Sequence, residues 1–267
     1  MIQAAVTGAC GRMGTLIMSN ILQADDMELV AGFDFVRVGE DIGSVVGGGA
    51  LGISVTSPDN LESELAKTMP DVLIDFTIAQ AAVKTIETAC NCGVNLVVGT
   101  TGFTPEQQQQ NMENITKAGI KAVIAPNFSI GVNVFLKLIE EASKHLYNYD
   151  IEIIEAHHNQ KKDAPSGTAI KAAEVINQQI RVQKPVIYGR EGFSPRGSEI
   201  AIHALRGGDI VGDHTVLFAG DGERIEIKHQ AHSRQSFAAG AITAVRWLCS
   251  QQNIPKGMYG MKDVLKL

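Results

Sequence analysis

Apolar positions follow two rhythms along this chain. In the first half, short continuous apolar runs alternate with segments of helical period. Ile2–Thr7 reads as a buried strand, followed by a glycine turn and a helix over about residues 12–24. Met27–Phe33 reads as the next strand and runs into Asp34. Residues 35–58 are rich in glycine, Gly47-Gly48-Gly49 included, and read as a loop with at most a short helix. Further apolar runs cover residues 72–76, Asn95–Val98 and residues 121–125. Ala79–Cys92 and the stretch from Pro105 are helical, the latter with proline in its first turn. Strands alternating with helices predict right-handed crossovers and a mostly parallel sheet.

After about Asn127 the pattern changes. Residues 132–145 and Gly167–Gln179 read as helices and residues 150–156 as a strand. Apolar and polar residues then alternate over 198–205, 214–219 and 223–229, with Gly220-Asp221-Gly222 as a hairpin turn between the last two. Such alternation predicts a sheet with one face left for solvent or a partner. Residues 238–249 form a final helix. The fold class is therefore α/β, with two domains of unlike character.

Composition narrows the field. Apolar residues make up 45% of the 267 and charged residues 19%, a balance with ample material for a core. The net charge of −6 argues against a dedicated nucleic-acid binder, while leaving room for a local basic pocket. Cys10, Cys90, Cys92 and Cys249 form neither a zinc-type set nor a CxxC pair, and read as small buried residues on helices in a reducing compartment. The chain opens on Ile2-Gln3-Ala4-Ala5-Val6 with no charged region before an apolar stretch, so no signal peptide is expected. No apolar run approaches the roughly 20 residues that span a bilayer. A cytoplasmic location without membrane or nucleic-acid partners is the expectation.

The strongest local motif is Gly8-Ala9-Cys10-Gly11-Arg12-Met13-Gly14, directly after a strand and opening a helix. Glycines let backbone N–H groups approach a pyrophosphate, and the helix N-terminus supplies donors and partial positive charge. The spacing is GxxGxxG rather than GxGxxG. Asp34 ends the second strand, about 20 residues further on, where a carboxylate accepts from adenine ribose hydroxyls. An exposed turn aspartate is the plainer reading, and Arg12 reads equally as a phosphate partner or a solvated arginine. Gly99-Thr100-Thr101, Asp75-Phe76-Thr77 and Ala125-Pro126-Asn127-Phe128 end further strands at the same edge, where open α/β sheets bind ligands. Together they point to a Rossmann-type dinucleotide site.

A second cluster is Glu155-Ala156-His157-His158-Asn159-Gln160-Lys161-Lys162-Asp163-Ala164-Pro165-Ser166-Gly167-Thr168-Ala169, between a strand and a helix. Two histidines and two lysines make a cationic pocket for an anion, with groups able to carry protons. Ser166-Gly167-Thr168 opens the next helix and offers a second anion site. A polar surface loop is the competing reading. No metal is expected, because adjacent histidines diverge and no carboxylate spacing completes a ligand set.

Taken together, these motifs resemble the 4-hydroxy-tetrahydrodipicolinate (dihydrodipicolinate) reductase family. Gly99-Thr100-Thr101-Gly102-Phe103, Asn127-Phe128-Ser129-Ile130-Gly131-Val132-Asn133 and Gly207-Gly208-Asp209-Ile210-Val211-Gly212-Asp213-His214 add to the match, as does Asp263-Val264-Leu265. The order and spacing hold over nearly the whole chain. The resemblance implies a nicotinamide-dependent reductase of the diaminopimelate route to lysine, acting on a small cyclic dicarboxylate. It assigns His157 and Lys161 to proton transfer and charge stabilisation, and His158, Lys161, Ser166, Gly167 and Thr168 to the substrate. Cofactor contacts fall to Gly8, Ala9, Cys10, Gly11, Arg12, Met13, Gly14, Asp34, Gly99, Thr100, Thr101, Ala125, Pro126, Asn127 and Phe128. The implied architecture is a Rossmann domain over 1–127 and 236–267. An α+β substrate and tetramerisation domain with an open mixed sheet covers 128–235. Phe35 stands where the family often has arginine beside the acidic residue, so NADH is expected over NADPH, with Arg37 tolerating the latter. Competing expectations are another Rossmann NAD(P)-dependent dehydrogenase or a non-catalytic NADH sensor.

Overall fold

A computed structural model describes residues 1–250 and 254–267. The chain divides into two compact units, Met1–Ile130 with Gln235–Leu267, and Gly131–Arg234.

The first unit opens with β1 (Ile2–Thr7), α1 (Arg12–Leu22) and β2 (Met27–Phe33). The glycine-rich loop contains α2 (Ile42–Val45) and also a two-residue edge strand, β3 (Val55–Thr56), that its composition concealed. Then follow α3 (Leu61–Thr68), β4 (Val72–Asp75), α4 (Ala79–Cys92), β5 (Asn95–Val98), α5 (Pro105–Ala118) and β6 (Lys121–Ile124). Thr104 starts α5 through a reciprocal capping box with Gln107, with Pro105 at the first helical position.

The second unit is built from α6 (Ile130–His145), β7 (Asp150–His157), α7 (Gly167–Gln179), β8 (Val186–Tyr188), β9 (Ile200–Arg206), β10 (Gly212–Gly220) and β11 (Glu223–Ala231). The chain then returns to the first unit through α8 (Gln235–Ser250), β12 (Gly257–Tyr259) and α9 (Met261–Leu265).

The first unit's sheet is parallel throughout, in the order β3-β2-β1-β4-β5-β6-β12. The order reverses direction between β1 and β4, so a crevice opens beside Gly8 at their carboxyl ends. Alternation along β1 divides the core. Ala4 and Val6 join Ile17, Met18 and Ile21 of α1 and Ala241, Val245 and Leu248 of α8. Ala5 joins Leu73, Ile86, Ala89, Leu96 and Ile115 on the other face. Each such fully buried isoleucine or leucine contributes about 1.5–3 kcal/mol.

The second unit's sheet is mixed, in the order β11-β10-β7-β9-β8. β10 is antiparallel to β7 and β11, and β9 is parallel to β7 and β8. Asp221-Gly222 closes the β10–β11 hairpin, and Gly222 takes the left-handed conformation (φ +82°) that such a turn demands. One face packs Ile151, Ile153, Ile202, Val216 and Phe218 against Phe135 and Ile139 of α6 and Ala172, Ala173 and Ile176 of α7. The opposite face carries Ile154 and Leu205, both exposed.

Gly240 shows how closely α8 docks. A Cβ there would lie 1.8 Å from the Phe128 carbonyl oxygen, inside any allowed contact. Gly240→Ala should destabilise the protein by about 1–3 kcal/mol or more. Urea unfolding should show a lowered midpoint, and an unchanged midpoint would contradict this packing.

Candidate functional site

The glycine loop is shaped by its own backbone. Gly8 has φ +69°, and its carbonyl accepts from the Gly11 N–H at 3.0 Å. A Cβ on Gly14 would meet that same carbonyl oxygen at 2.0 Å, which accounts for the third glycine of the motif. Gly11 is the N-cap of α1 and no side chain caps that helix, so its first-turn N–H groups are left for a ligand. An uncapped helix start beside two exposed residues, Gly11 and Arg12, fits a pyrophosphate.

Asp34 follows β2 and holds two backbone donors, Cys10 N–H at 2.9 Å and Val36 N–H at 3.2 Å. Two carboxylate oxygens have about four acceptor sites, so capacity for ribose hydroxyls remains. Cys10 lies in this loop, half-buried, rather than on a helix, and its thiol donates to the Val36 carbonyl at 3.4 Å. Of the four cysteines, only Cys90 is buried. Arg37 pairs with Glu40 at 2.9 Å.

The other strand ends converge on Asp75, a fully buried carboxylate that sequence reading passed over as one polar strand end among several. It accepts from the hydroxyls of Thr7 (2.8 Å), Thr77 (2.9 Å) and Thr100 (2.6 Å), joining the ends of β1, β4 and β5. Thr100, Thr101, Ala125 and Pro126 line a pocket of about 290 Å³ with Phe103, Met258 and others. Ala9 and Phe128 have buried side chains, the Phe128 ring packing 5.3 Å from Phe76. Met13 is half-buried and packs in part against the core, while any ligand contact from Ala9 and Phe128 falls to backbone.

In the second unit, alternation along β7 sends Ile151, Ile153, Glu155 and His157 to the packed face. Glu155 is fully buried. Its oxygens accept both Arg206 guanidinium nitrogens (2.8 and 2.9 Å) and the Ser166 N–H (2.9 Å), and one lies 2.6 Å from His157 Nδ1. Burial pushes the carboxyl upward, but Arg206, His157 and the Ser166 amide outweigh it and hold the group below its ordinary range. Burial pulls His157 down, and Glu155 does not offset that.

Ser166 is the N-cap of α7, accepting from Ala169 N–H, and its hydroxyl lies 2.9 Å from His214 Nε2. That hydroxyl is therefore already engaged, while the N-terminus of α7 at Gly167 and Thr168 stays accessible. Lys161, half-buried, pairs with Asp163 at 2.8 Å. His158 is half-buried beside them. The structure thus links His157 and Ser166 through Glu155, with His158 and Lys161 on the connecting loop and Gly167 and Thr168 opening α7. It adds Glu155, Asp163, Arg206 and His214, whose importance local spacing did not reveal. A second pocket, of about 310 Å³ beside α7 and β8, contains none of the expected site residues. Among the described residues, no group of three or more His, Cys, Asp or Glu is placed to hold a metal ion. No helix among them is long and apolar enough to cross a membrane.

The fold defines a two-unit protein of the Rossmann class, with a separate unit that carries histidine, lysine and helix N-terminal donors. The chain belongs to the dihydrodipicolinate reductase family, whose N-terminal model matches residues 2–128 and C-terminal model residues 131–265. It is 57% identical to the 4-hydroxy-tetrahydrodipicolinate reductase of Methanosarcina mazei over 267 residues, the whole of both chains. The enzyme of that name from Methanosarcina acetivorans is also 57% identical, again over both full chains. Among solved structures, the dipicolinate-bound dihydrodipicolinate reductase of Paenisporosarcina sp. TG-14 is 31% identical. It superposes with a TM-score of 0.79 over 98% of this chain and 99% of that one.

His214 offers a test of the buried network. Burial, with the nearby His157 charge adding to it, lowers its pKa from 6.5 to about 4. As pH falls through that window the unfolded chain binds the proton first, so folded-state stability declines between pH 6.5 and 4. At about 1.4 kcal/mol per pH unit the loss reaches roughly 3 kcal/mol. Urea midpoints at pH 7, 5.5 and 4.5 should fall more steeply for the natural chain than for His214→Gln. Parallel slopes would contradict the assignment.

Proposed function

We propose that the protein is a 4-hydroxy-tetrahydrodipicolinate reductase of lysine biosynthesis, with a cofactor domain over 1–127 and 236–267 and a substrate and tetramerisation domain over 128–235. The observation that carries this reading is the Glu155–Thr168 segment. It brings a neutral imidazole, a lysine and an open helix N-terminus to one place on the second unit. The full-length likeness to enzymes of that name supports it. A small dicarboxylate needs cationic and N–H donors, and charge gained on reduction needs stabilisation and a proton.

The α1 N-terminus at Gly11, Arg12 and Met13 would hold the dinucleotide pyrophosphate, with Asp34 on the adenine ribose. The edge at Gly99, Thr100, Thr101, Ala125, Pro126 and Asn127 would receive the nicotinamide half. When bound, the nicotinamide supplies hydride to C4 of the dehydrated cyclic substrate. Gly167 and Thr168 hold one substrate carboxylate, with His158 and Ser166 beside it. Lys161 stabilises developing charge and delivers a proton, and His157 completes the proton-handling pair beside it. The dipicolinate bound to the Paenisporosarcina enzyme, a ring with two carboxylates, is consistent with such a ligand. NADH is the preferred cofactor, because Asp34 repels a 2′-phosphate, with NADPH tolerated through Arg37, whose exposed pair with Glu40 is exchangeable. The exposed sheet face with Ile154 and Leu205 would be covered in a homotetramer, and the enzyme would act in the cytoplasm.

A coupled assay tests the reading. Dihydrodipicolinate synthase would generate fresh substrate from pyruvate and aspartate semialdehyde while nicotinamide absorbance is followed with NADH and NADPH separately. Oxidation should need both this protein and the substrate, and should be faster with NADH. No oxidation of either, with NADH still bound, would move the other-dehydrogenase and sensor readings ahead. Lys161→Ala should remove most turnover yet keep NADH affinity, and loss of affinity alone would sink its role. Asp34→Ala should weaken NADH more than NADPH. An equal effect on both would end the selectivity argument.

A further inference from the structure

Glu155 has no place in the proton chemistry so far described, yet it is the most enclosed charge of the second unit. It sits two residues before His157 on the same face of β7. Across the sheet, His157 is registered with Arg206 of β9, and Glu155 with His214 of β10. Arg206 closes a two-point contact on the carboxylate and donates a further bond to the Asp163 carbonyl at 2.6 Å. The imidazole of His157 is held on its other side as well. A Cβ on Gly212 would lie 3.0 Å from His157 Nε2, so the glycine leaves room for the ring. The His214 ring meets it edge-on with centroids 5.2 Å apart.

We infer that Glu155, clamped by Arg206, is a positioning residue that locks His157 in the Nδ1–H tautomer, leaving Nε2 as a hydrogen-bond acceptor and Lys161 as the group that supplies the proton. A carboxylate held by an arginine fork can only accept, so the nitrogen 2.6 Å away must carry the proton. The charged groups facing His157 are Glu155 on its own strand, Arg206 on β9 and Lys161 on the following loop, and the titratable ring of His214 faces it from β10. Burial lowers the imidazole's pKa and the two cations add to this, so the ring is neutral near pH 7. The inference rests on the reductase reading only for its kinetic consequence, since the tautomer is a property of the free protein.

The test therefore has two arms. Long-range 1H–15N NMR of the histidine side chains in the full-length protein, with the His157 signals assigned through His157→Gln, reads the tautomer directly. At pH 7 Nδ1 should be protonated and Nε2 bare. A neutral Nε2–H ring, or a doubly protonated one, would overturn the proposal without any variant having to fold. In the coupled assay, Glu155→Gln should lower kcat about tenfold or more, because an amide can donate to Nδ1 and move the proton to Nε2. KM and NADH affinity should change little. The acid limb should move to lower pH, since the carboxylate that raises the His157 pKa is gone. A Glu155→Gln enzyme with natural kcat and pH profile would overturn the proposal. Absence of turnover in the natural protein would instead sink the reductase reading, and the NMR arm would still decide the tautomer.

Discussion

Taking a carboxylate out of water costs several kcal/mol even after the protein relaxes, and attraction to a partner repays this only when every lone pair is met. Glu155 is such a carboxylate, and its needs organise the second unit's site. Its donors come from three separate places: Arg206 at the end of β9, the Ser166 amide at the start of α7, and His157 at the end of β7. Meeting them fixes where the 158–166 loop begins and ends. Removing one partner from a buried pair typically costs about 3–5 kcal/mol. The loop cannot drift without that penalty, so the groups it carries keep their positions.

The first unit solves a related problem with neutral donors. Asp75 lies at the point where the strand order reverses, and three threonine hydroxyls converge on it. A guanidinium there would place fixed positive charge beside the glycine loop. Hydroxyls tie the strand ends together without adding positive charge, and the uncapped N–H groups of α1 remain as donors beside them. The two units thus use buried carboxylates for the same structural end with different donor chemistry.

Elements with an unbroken apolar run or a clear helical period were legible in the sequence: β1, β2, α4, β5 and α7 lie where the pattern put them. The short edge strands β3, β8 and β12 escaped because two or three residues carry no period, and their pairing comes from the neighbouring strand. The site divided in the same way. His157, Lys161 and the glycines stand in compact motifs. Arg206 is 51 residues from Glu155, and only sheet register brings them together. One signal was available: alternation along β7 puts Glu155 on the face with Ile151 and Ile153, and a carboxylate on a core face demands a cation.

The two ion pairs of the second unit differ in a way that bears on an anionic ligand. Arg206 and Glu155 are enclosed, so Arg206 is committed and cannot also serve a substrate carboxylate at little cost. Lys161 pairs with Asp163, whose side chain is 60% exposed. On the Asp163 side water and salt compete for the charge, so this pair is held less firmly than a fully buried one. Lys161, itself only 21% exposed, can exchange that solvated carboxylate for an incoming one, while Arg206, gripping both oxygens of a fully buried carboxylate, holds the frame. A chain of net charge −6 can still hold a local excess of cationic and N–H donors. What matters is which cations are exchangeable at the site, and Lys161 is one beside an open helix N-terminus.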